Sequence, residues 1–255
     1  MKVIPVPVRE DNYAYLLVDE KAHKALAVDP YDLPKVQGAA AQAGVELAGS
    51  LTTHHHHDHS GGNQVFAATF PSVPIYGGSN QAPALTNLVK DKDEITFGNI
   101  TIKCLHTPCH TQDSICYYAK PNDNSHPGGV FTGDTLFIAG CGRFFEGTAS
   151  EMHAALKYLT TLPEQTIVYN GHEYTKGNVA FAKSVEPDNE ALKRIDKLLE
   201  QSRATTGRTT IGDEKEWNPF IRLTSESIRK NIGATSATED EVMQKLREMK
   251  NSFRG

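Results

Sequence analysis

Short runs rich in apolar and β-branched residues punctuate the first two thirds of the chain, and apolar residues at helical spacing take over in the last third. Residues 2–8, 13–18 and 25–28 are three such runs, separated by Arg9-Glu10-Asp11-Asn12 and by the polar stretch 19–24; they predict the meander that begins a sheet. Asp29-Pro30 breaks the third run. An alanine-rich helix is expected over 33–43, stopped by Gly44. A strand over 46–53 feeds a loop, and 63–70 reads as helical. Further strands are expected at 73–76, 101–105, 114–118, 129–133 and 165–170, with a hairpin at Phe97-Gly98-Asn99-Ile100. Ahead of the last strand, Thr148-x-x-Glu151 is a capping box, and Met152, Ala155, Leu156 and Leu159 share one stripe of a helix over 150–159. Strands dominate, helices come between them, and two halves repeat one order of elements. A two-sheet α/β sandwich with outer helices satisfies that pattern.

After Tyr174 no strand pattern remains. Leu192, Ile195, Leu198 and Leu199 predict a helix over 191–201, and the polar stretch 203–216, with Gly207 and Gly212, reads as an exposed loop. Trp217-Asn218-Pro219-Phe220 is expected to anchor the tail. A last helix has its own capping box, Thr238-x-x-Glu241, and a stripe of Val242, Leu246, Met249 and Phe253. The composition change places a boundary near Tyr174: a domain over 1–174 and a helical domain over 175–255.

Composition narrows the function classes. A chain of 255 residues with 38% hydrophobic and 22% charged residues buries an ordinary globular core. The net charge of −5 disfavours nucleic acid as a main partner. No apolar run approaches the roughly 20 residues of a membrane span. The strand-like opening Met1-Lys2-Val3-Ile4-Pro5-Val6 shows no secretory signal. Cys104, Cys109, Cys116 and Cys141 form no Cys-x-x-Cys pair, so free packing thiols in a reducing compartment are expected.

The chemistry gathers in Thr52-Thr53-His54-His55-His56-His57-Asp58-His59-Ser60-Gly61-Gly62, which holds five of the eleven histidines. On an extended chain residues two apart point the same way, so His54 and His56 suit one ion. Asp58 and His59, being adjacent, diverge, which leaves Asp58 to turn toward a second ion. Imidazole and carboxylate without thiolate suit zinc, iron or manganese. Three isolated signals extend the set: His110 in Thr107-Pro108-Cys109-His110-Thr111, Asp134 in Phe131-Thr132-Gly133-Asp134-Thr135, and His172 in Asn170-Gly171-His172-Glu173-Tyr174. Each alone is an ordinary strand-end residue; their coincidence with the loop gives them weight. His23 and His126 fall in polar loops, His153 lies off its helix stripe, and His106 is expected to be buried without a role.

The pattern T-H-H-x-H-x-D-H, followed by a histidine, an aspartate and Gly-His-Glu-Tyr-Thr, resembles the metallo-β-lactamase superfamily. With Asp11-Asn12-Tyr13, Ala27-Val28-Asp29-Pro30, Gly140-Cys141-Gly142-Arg143-Phe144-Phe145-Glu146-Gly147 and Asn218-Pro219-Phe220-Ile221-Arg222, it is similar to the glyoxalase II (hydroxyacylglutathione hydrolase) family within it. The resemblance implies an αββα sandwich with a C-terminal helical domain. It implies two divalent ions, zinc first and iron or manganese as alternatives: His54, His56 and His110 on one, Asp58, His59 and His172 on the other, Asp134 bridging. His55 and His57 match no ligand position. The implied activity is hydrolysis of S-D-lactoylglutathione to D-lactate and glutathione, the second step of methylglyoxal detoxification. A hydroxide shared by the metals attacks the thioester, with Asp58 and Asp134 as the catalytic carboxylates of the centre. Glutathione would be held by Arg143, Phe145, Tyr174, Arg247 and Lys250; arginine at Arg143 and phenylalanine at Phe145 depart from the family's frequent lysine and tyrosine. The implied protein is a cytoplasmic monomer, or a mitochondrial form if a presequence precedes the chain. Two readings compete: a related persulfide dioxygenase with one iron, and a metal-stabilised binding module without turnover.

Overall fold

The computed structural model describes residues 1–254, and the chain forms two compact units: Met1–His106 with Asp113–Gly133, and Thr107–Gln112 with Asp134–Gly255. These units divide the chain elsewhere than the composition change near Tyr174.

In the first unit, β1 (Lys2–Pro7), β2 (Tyr13–Asp19) and β3 (Lys24–Val28) form the expected antiparallel meander. Helix α1 (Leu33–Ala43) starts under Asp32, whose carboxylate accepts the Lys35 N–H, and stops at Gly44 in the left-handed region. It carries the chain over to β4 (Glu46–Leu51), which is parallel to β3. Two helices follow: α2 (His57–Ser60) and α3 (Asn63–Thr69). Then β5 (Ile75–Gly77) and the two-residue β6 (Asn87–Leu88) complete a six-stranded sheet in the order β1-β2-β3-β4-β5-β6. Leu33, Val36 and Ala40 of α1 and Phe66 of α3 pack on Ala14, Leu16, Ala25 and Ala27 from one face of that sheet. Each large side chain buried there contributes roughly 1.5–3 kcal/mol. A second sheet comes from β7 (Glu94–Phe97), β8 (Ile100–His106), β9 (Ile115–Pro121) and β10 (Gly129–Gly133), all antiparallel neighbours. Tyr15 of β2 meets Phe131 of β10 at 5.4 Å between ring centroids, and the Tyr117 hydroxyl of β9 donates to the Thr52 carbonyl at 2.9 Å. These contacts seat one sheet on the other. All seven residues of β2 are buried, as expected of a strand covered on both faces.

The second unit contains β11 (Leu136–Phe137) and β12 (Gly140–Cys141), a small hairpin, then α4 (Ala149–Leu159) and β13 (Ile167–Asn170). Helices α5 (Thr175–Val185), α6 (Leu192–Gln201), α7 (Ile211–Trp217), α8 (Glu226–Asn231) and α9 (Glu239–Ser252) complete it. The capping boxes at Thr148 and Thr238 are both formed. His153 of α4 lies 2.7 Å from Asp240 and 3.2 Å from Glu239, so its partners are at the start of α9 rather than in its own helix stripe.

Three local expectations are corrected. Residues 203–216 are not an exposed loop: Thr205, Thr206 and Thr209 are buried, and α7 starts at a capping box between Thr210 and Asp213. Its polar surface is misleading because Glu214 points inward to hydrogen-bond donors. The extended geometry assumed through Asp58 ends at His56, since His57–Ser60 is one helical turn. His106 is exposed, with its backbone N–H bonded to Asp91 at 3.1 Å, rather than buried.

Candidate metal centre and binding cavity

In the first unit, β3 and β4 end side by side, and their ends organise the histidine loop. Asp29, just past β3, is buried with φ of 47°. Its carboxylate accepts the Thr53 N–H at 2.8 Å and the Thr53 hydroxyl at 2.6 Å, and it lies 2.9 Å from His59 Nδ1. That contact puts the His59 proton on Nδ1 and leaves Nε2 with its lone pair outward. The Thr53 oxygen, having given its own proton to Asp29, faces His54 Nδ1 at 3.1 Å and fixes the same tautomer there. His54 Nε2 then meets His56 Nδ1 at 3.1 Å. Two lone pairs this close suit one cation, at metal–nitrogen distances of about 2.0–2.1 Å.

Asp58 is held by the Asn12 side-chain amide at 2.9 Å, and its Oδ2 lies 3.8 Å from His59 Nε2. The helical turn therefore brings Asp58 and His59 together, whereas an extended chain would have parted them. His55 turns to Asp113 at 2.9 Å, and His57 sits edge-on to Tyr31 at 5.5 Å, so both face away from the donor group. Gly62 is needed for the exit from this turn: a Cβ there would lie 2.0 Å from the Pro30 carbonyl oxygen.

In the second unit, His110 donates from Nδ1 to the Arg143 carbonyl at 2.9 Å, which leaves Nε2 as the available nitrogen. One oxygen of Asp134 lies 3.4 Å from His110 Nε2 and 3.3 Å from His172 Nε2. A carboxylate oxygen between two imidazole nitrogens is the arrangement expected of a bridging ligand. The His172 ring stacks on Tyr174 at 4.7 Å and 9°, with the Phe137 edge against it at 6.0 Å. Gly142 admits the close approach of Asp134, whose carbonyl oxygen would lie 1.9 Å from a Cβ at that position.

A cavity of about 610 Å³ in this unit is lined by His110 and Asp134 and by all five residues expected to hold glutathione, Arg143, Phe145, Tyr174, Arg247 and Lys250. Arg247 is not on a solvated helix edge. It is 7% exposed, donates from Nη1 to the Cys141 carbonyl and from Nε to Asn251, both at 2.9 Å, and lies over the Phe220 ring at 5.4 Å. Lys250 donates to the Gly177 carbonyl at 2.8 Å and sits over Phe181 and Phe253. Burial, helped by the neighbouring Arg247 charge, lowers its ammonium to about 8. Phe145 is 60% exposed, with its ring 5.2 Å from that of His110. Glu173 also lines the cavity and accepts both the N–H and the hydroxyl of Thr205 at 2.7 Å.

The thiols stay out of this chemistry. All four cysteines are free and buried, and burial pushes Cys104 and Cys109 up to about 12 and Cys141 to about 11. The available donors are therefore imidazole and carboxylate, which fit a divalent cation of zinc, iron or manganese type. Sequence reasoning assigned no role to Asp29, Asn12 or Thr53. Their signal was membership of the motifs that carry the family resemblance, Asp11-Asn12-Tyr13, Ala27-Val28-Asp29-Pro30 and the threonine that opens the histidine pattern.

Comparison with known proteins gives the family. Residues 51–172 match the metallo-beta-lactamase superfamily, and residues 173–253 match the hydroxyacylglutathione hydrolase C-terminus. A probable hydroxyacylglutathione hydrolase of Schizosaccharomyces pombe is 46% identical over 98% of both chains. The cytoplasmic hydroxyacylglutathione hydrolase of Arabidopsis thaliana is 42% identical over the full length of both. Among solved structures, ETHE1 from Myxococcus xanthus superposes with a TM-score of 0.66 at 26% identity, covering 98% of this chain and 97% of its own. The expected fold, the αββα type with a C-terminal helical region, is the fold of this chain. With relatives this similar along its whole length, the chain belongs to the hydroxyacylglutathione hydrolase family of the metallo-beta-lactamase superfamily.

Proposed function

We propose that the protein hydrolyses S-2-hydroxyacylglutathione thioesters, S-D-lactoylglutathione above all, to glutathione and the hydroxy acid, as the second step of methylglyoxal detoxification. The observation that carries this reading is one cavity in which the metal-type donors His110 and Asp134 stand beside three cationic side chains, Arg143, Arg247 and Lys250. Glutathione has two carboxylates and an amide backbone, which match such a wall.

The ligand sets proposed are His54, His56 and His110 for one ion and Asp58, His59 and His172 for the other, with Asp134 shared. Zinc is the first candidate, iron and manganese the alternatives. Such a pair, when bound, supplies Lewis acidity and a water acidified toward neutrality. The remaining work belongs to the protein. Asp29, Thr53 and the Arg143 carbonyl hold three imidazoles in one tautomer, so their lone pairs need no reorganisation. Arg247, already fixed by Cys141 and Asn251, keeps its remaining N–H groups for a substrate carboxylate. Lys250 adds a second charge below about pH 8. Phe145 offers an apolar face where a hydroxyl would have given one more hydrogen bond. The high thiol values keep the cysteines protonated, so they do not compete for the acyl group.

The substrate is a small molecule, and no nucleic-acid or membrane partner is proposed; no helix among the described residues is long and apolar enough to cross a membrane. A monomer is the simplest assembly, and the cytoplasm, the compartment in the name of the Arabidopsis thaliana relative, is the simplest setting. The test follows loss of thioester absorbance from S-D-lactoylglutathione with the metal-loaded protein. Turnover supports the reading. Oxygen uptake on glutathione persulfide without thioester hydrolysis would replace it with the dioxygenase.

A further inference from the structure

Glu214 of α7 is fully buried, yet the chemistry above makes no use of it. Its two carboxylate oxygens collect three donors. Oε1 accepts the Trp217 indole N–H at 3.0 Å; Oε2 accepts the Asn218 amide at 2.9 Å and the backbone N–H of Ala139 at 2.9 Å. Ala139 is the tip of the β11–β12 hairpin, held at φ of 56°, a conformation a non-glycine residue adopts only when its surroundings impose it. The same Asn218 amide also donates to the carbonyls flanking that tip, Phe137 at 3.3 Å and Gly140 at 3.0 Å. The other side of the hairpin faces the cavity, where Phe137 and Cys141 are part of the wall. Phe137 meets Tyr174 at 5.1 Å, and the Cys141 carbonyl receives Arg247. One buried carboxylate thus holds the back of the wall whose front orients two substrate-binding groups.

We propose that Glu214 is a positioning residue for substrate: through Ala139 and Asn218 it sets the hairpin that places Phe137, Tyr174 and Arg247 for glutathione. This rests on the reading of the cavity as a glutathione site. A structural carboxylate has no need to be ionisable, because Ile138, Ala139, Val179, Ala182, Leu192, Ile195 and Trp217 surround the hairpin tip with apolar packing. Burial raises Glu214 to about 7, against the pull of its three donors, so its charge changes within the physiological range. Few other charges face it. On its own helix Asp213 raises it further. From α6, Arg194 lies over the Trp217 ring at 5.4 Å but is paired with Asp213 and Glu216. From α5 comes only the neutral Asn178, which donates to the Ile138 carbonyl, and from α9 Arg247, engaged on Cys141. Protonation gives Glu214 a hydroxyl among three donors and weakens the clamp. Affinity for glutathione thioesters should therefore fall as the pH drops below about 7.

The chain's single tryptophan, Trp217, reports on this contact independently of turnover. In the metal-loaded protein its emission should titrate with a midpoint near 7, and Glu214→Gln should abolish that transition. The variant should raise KM about tenfold, leave kcat within about twofold, and keep its metal content. Trp217→Phe, which removes one donor, should move the KM inflection to higher pH should the glutamine variant fold poorly. Flat tryptophan emission through neutrality, or a KM unchanged in Glu214→Gln, would overturn the proposal. Absence of thioester turnover in the unmodified protein would instead refute the enzymatic reading, and the tryptophan titration would still stand or fall by itself.

Discussion

In the first unit four candidate ligands fall between His54 and His59, and buried side chains fix them: Asp29 orients His59, and Thr53 orients His54. In the second unit His110, Asp134 and His172 are far apart in sequence, and main chain and rings fix them: the Arg143 carbonyl orients His110, and Tyr174 and Phe137 pack His172. The first half gathers its candidate ligands in one short loop. In the second half two of the candidate ligands, His110 and Asp134, line the cavity beside Arg143, Arg247 and Lys250. Under the proposed function, the contrast explains how a metal motif acquires a substrate: the loop stays compact, and the elements that carry the other candidate ligands also carry the proposed recognition groups.

Substitutions distinguish the two halves. The largest effect is expected for Asp134→Ala, which removes the carboxylate between His110 and His172: hydrolysis should fall by about a thousandfold or more, with metal lost. Metal analysis showing two retained ions would break the bridging role. Next, Asp29→Asn leaves a poorer acceptor against His59 Nδ1 and Thr53, so metal affinity should drop by about 10–100-fold. No side-chain change can do the same to His110, because its orienting partner is a backbone carbonyl. Arg143→Ala should therefore keep full metal content and raise KM by about tenfold. Loss of metal in that variant would erase the distinction between the two halves.

Legibility in the sequence follows the same division. The histidine loop, the strands around it, α4 and α9 have periodic patterns or capping boxes, and such local signals survive without tertiary context. Helix α7 was hidden because seven residues containing Gly212 and four charges give no apolar stripe. Only packing shows that Glu214 is turned inward. Arg247 and Lys250 share a helix face by spacing, yet no pattern reveals that the first is buried against Cys141 and Phe220. The turn at His57–Ser60 was obscured by four consecutive histidines, which have weak helical preference.

Smaller effects sharpen the substrate half. Lys250 is charged below about 8 and neutral above, so KM should rise as the pH climbs through that value. Lys250→Arg should remove the alkaline rise, since arginine stays charged; an unchanged alkaline limb would assign it elsewhere. The smallest expected change is Phe145→Tyr. An added hydroxyl beside His110 should lower KM by about fivefold, equivalent to ~1 kcal/mol. Parity between the two proteins would show that position to be apolar contact alone.

The most direct test adds zinc stepwise to the metal-free protein while following S-D-lactoylglutathione hydrolysis. The proposed two-ion ligand set predicts activity that rises until about two equivalents are bound and then stops. Full activity at one equivalent, or two bound ions without hydrolysis, would contradict it.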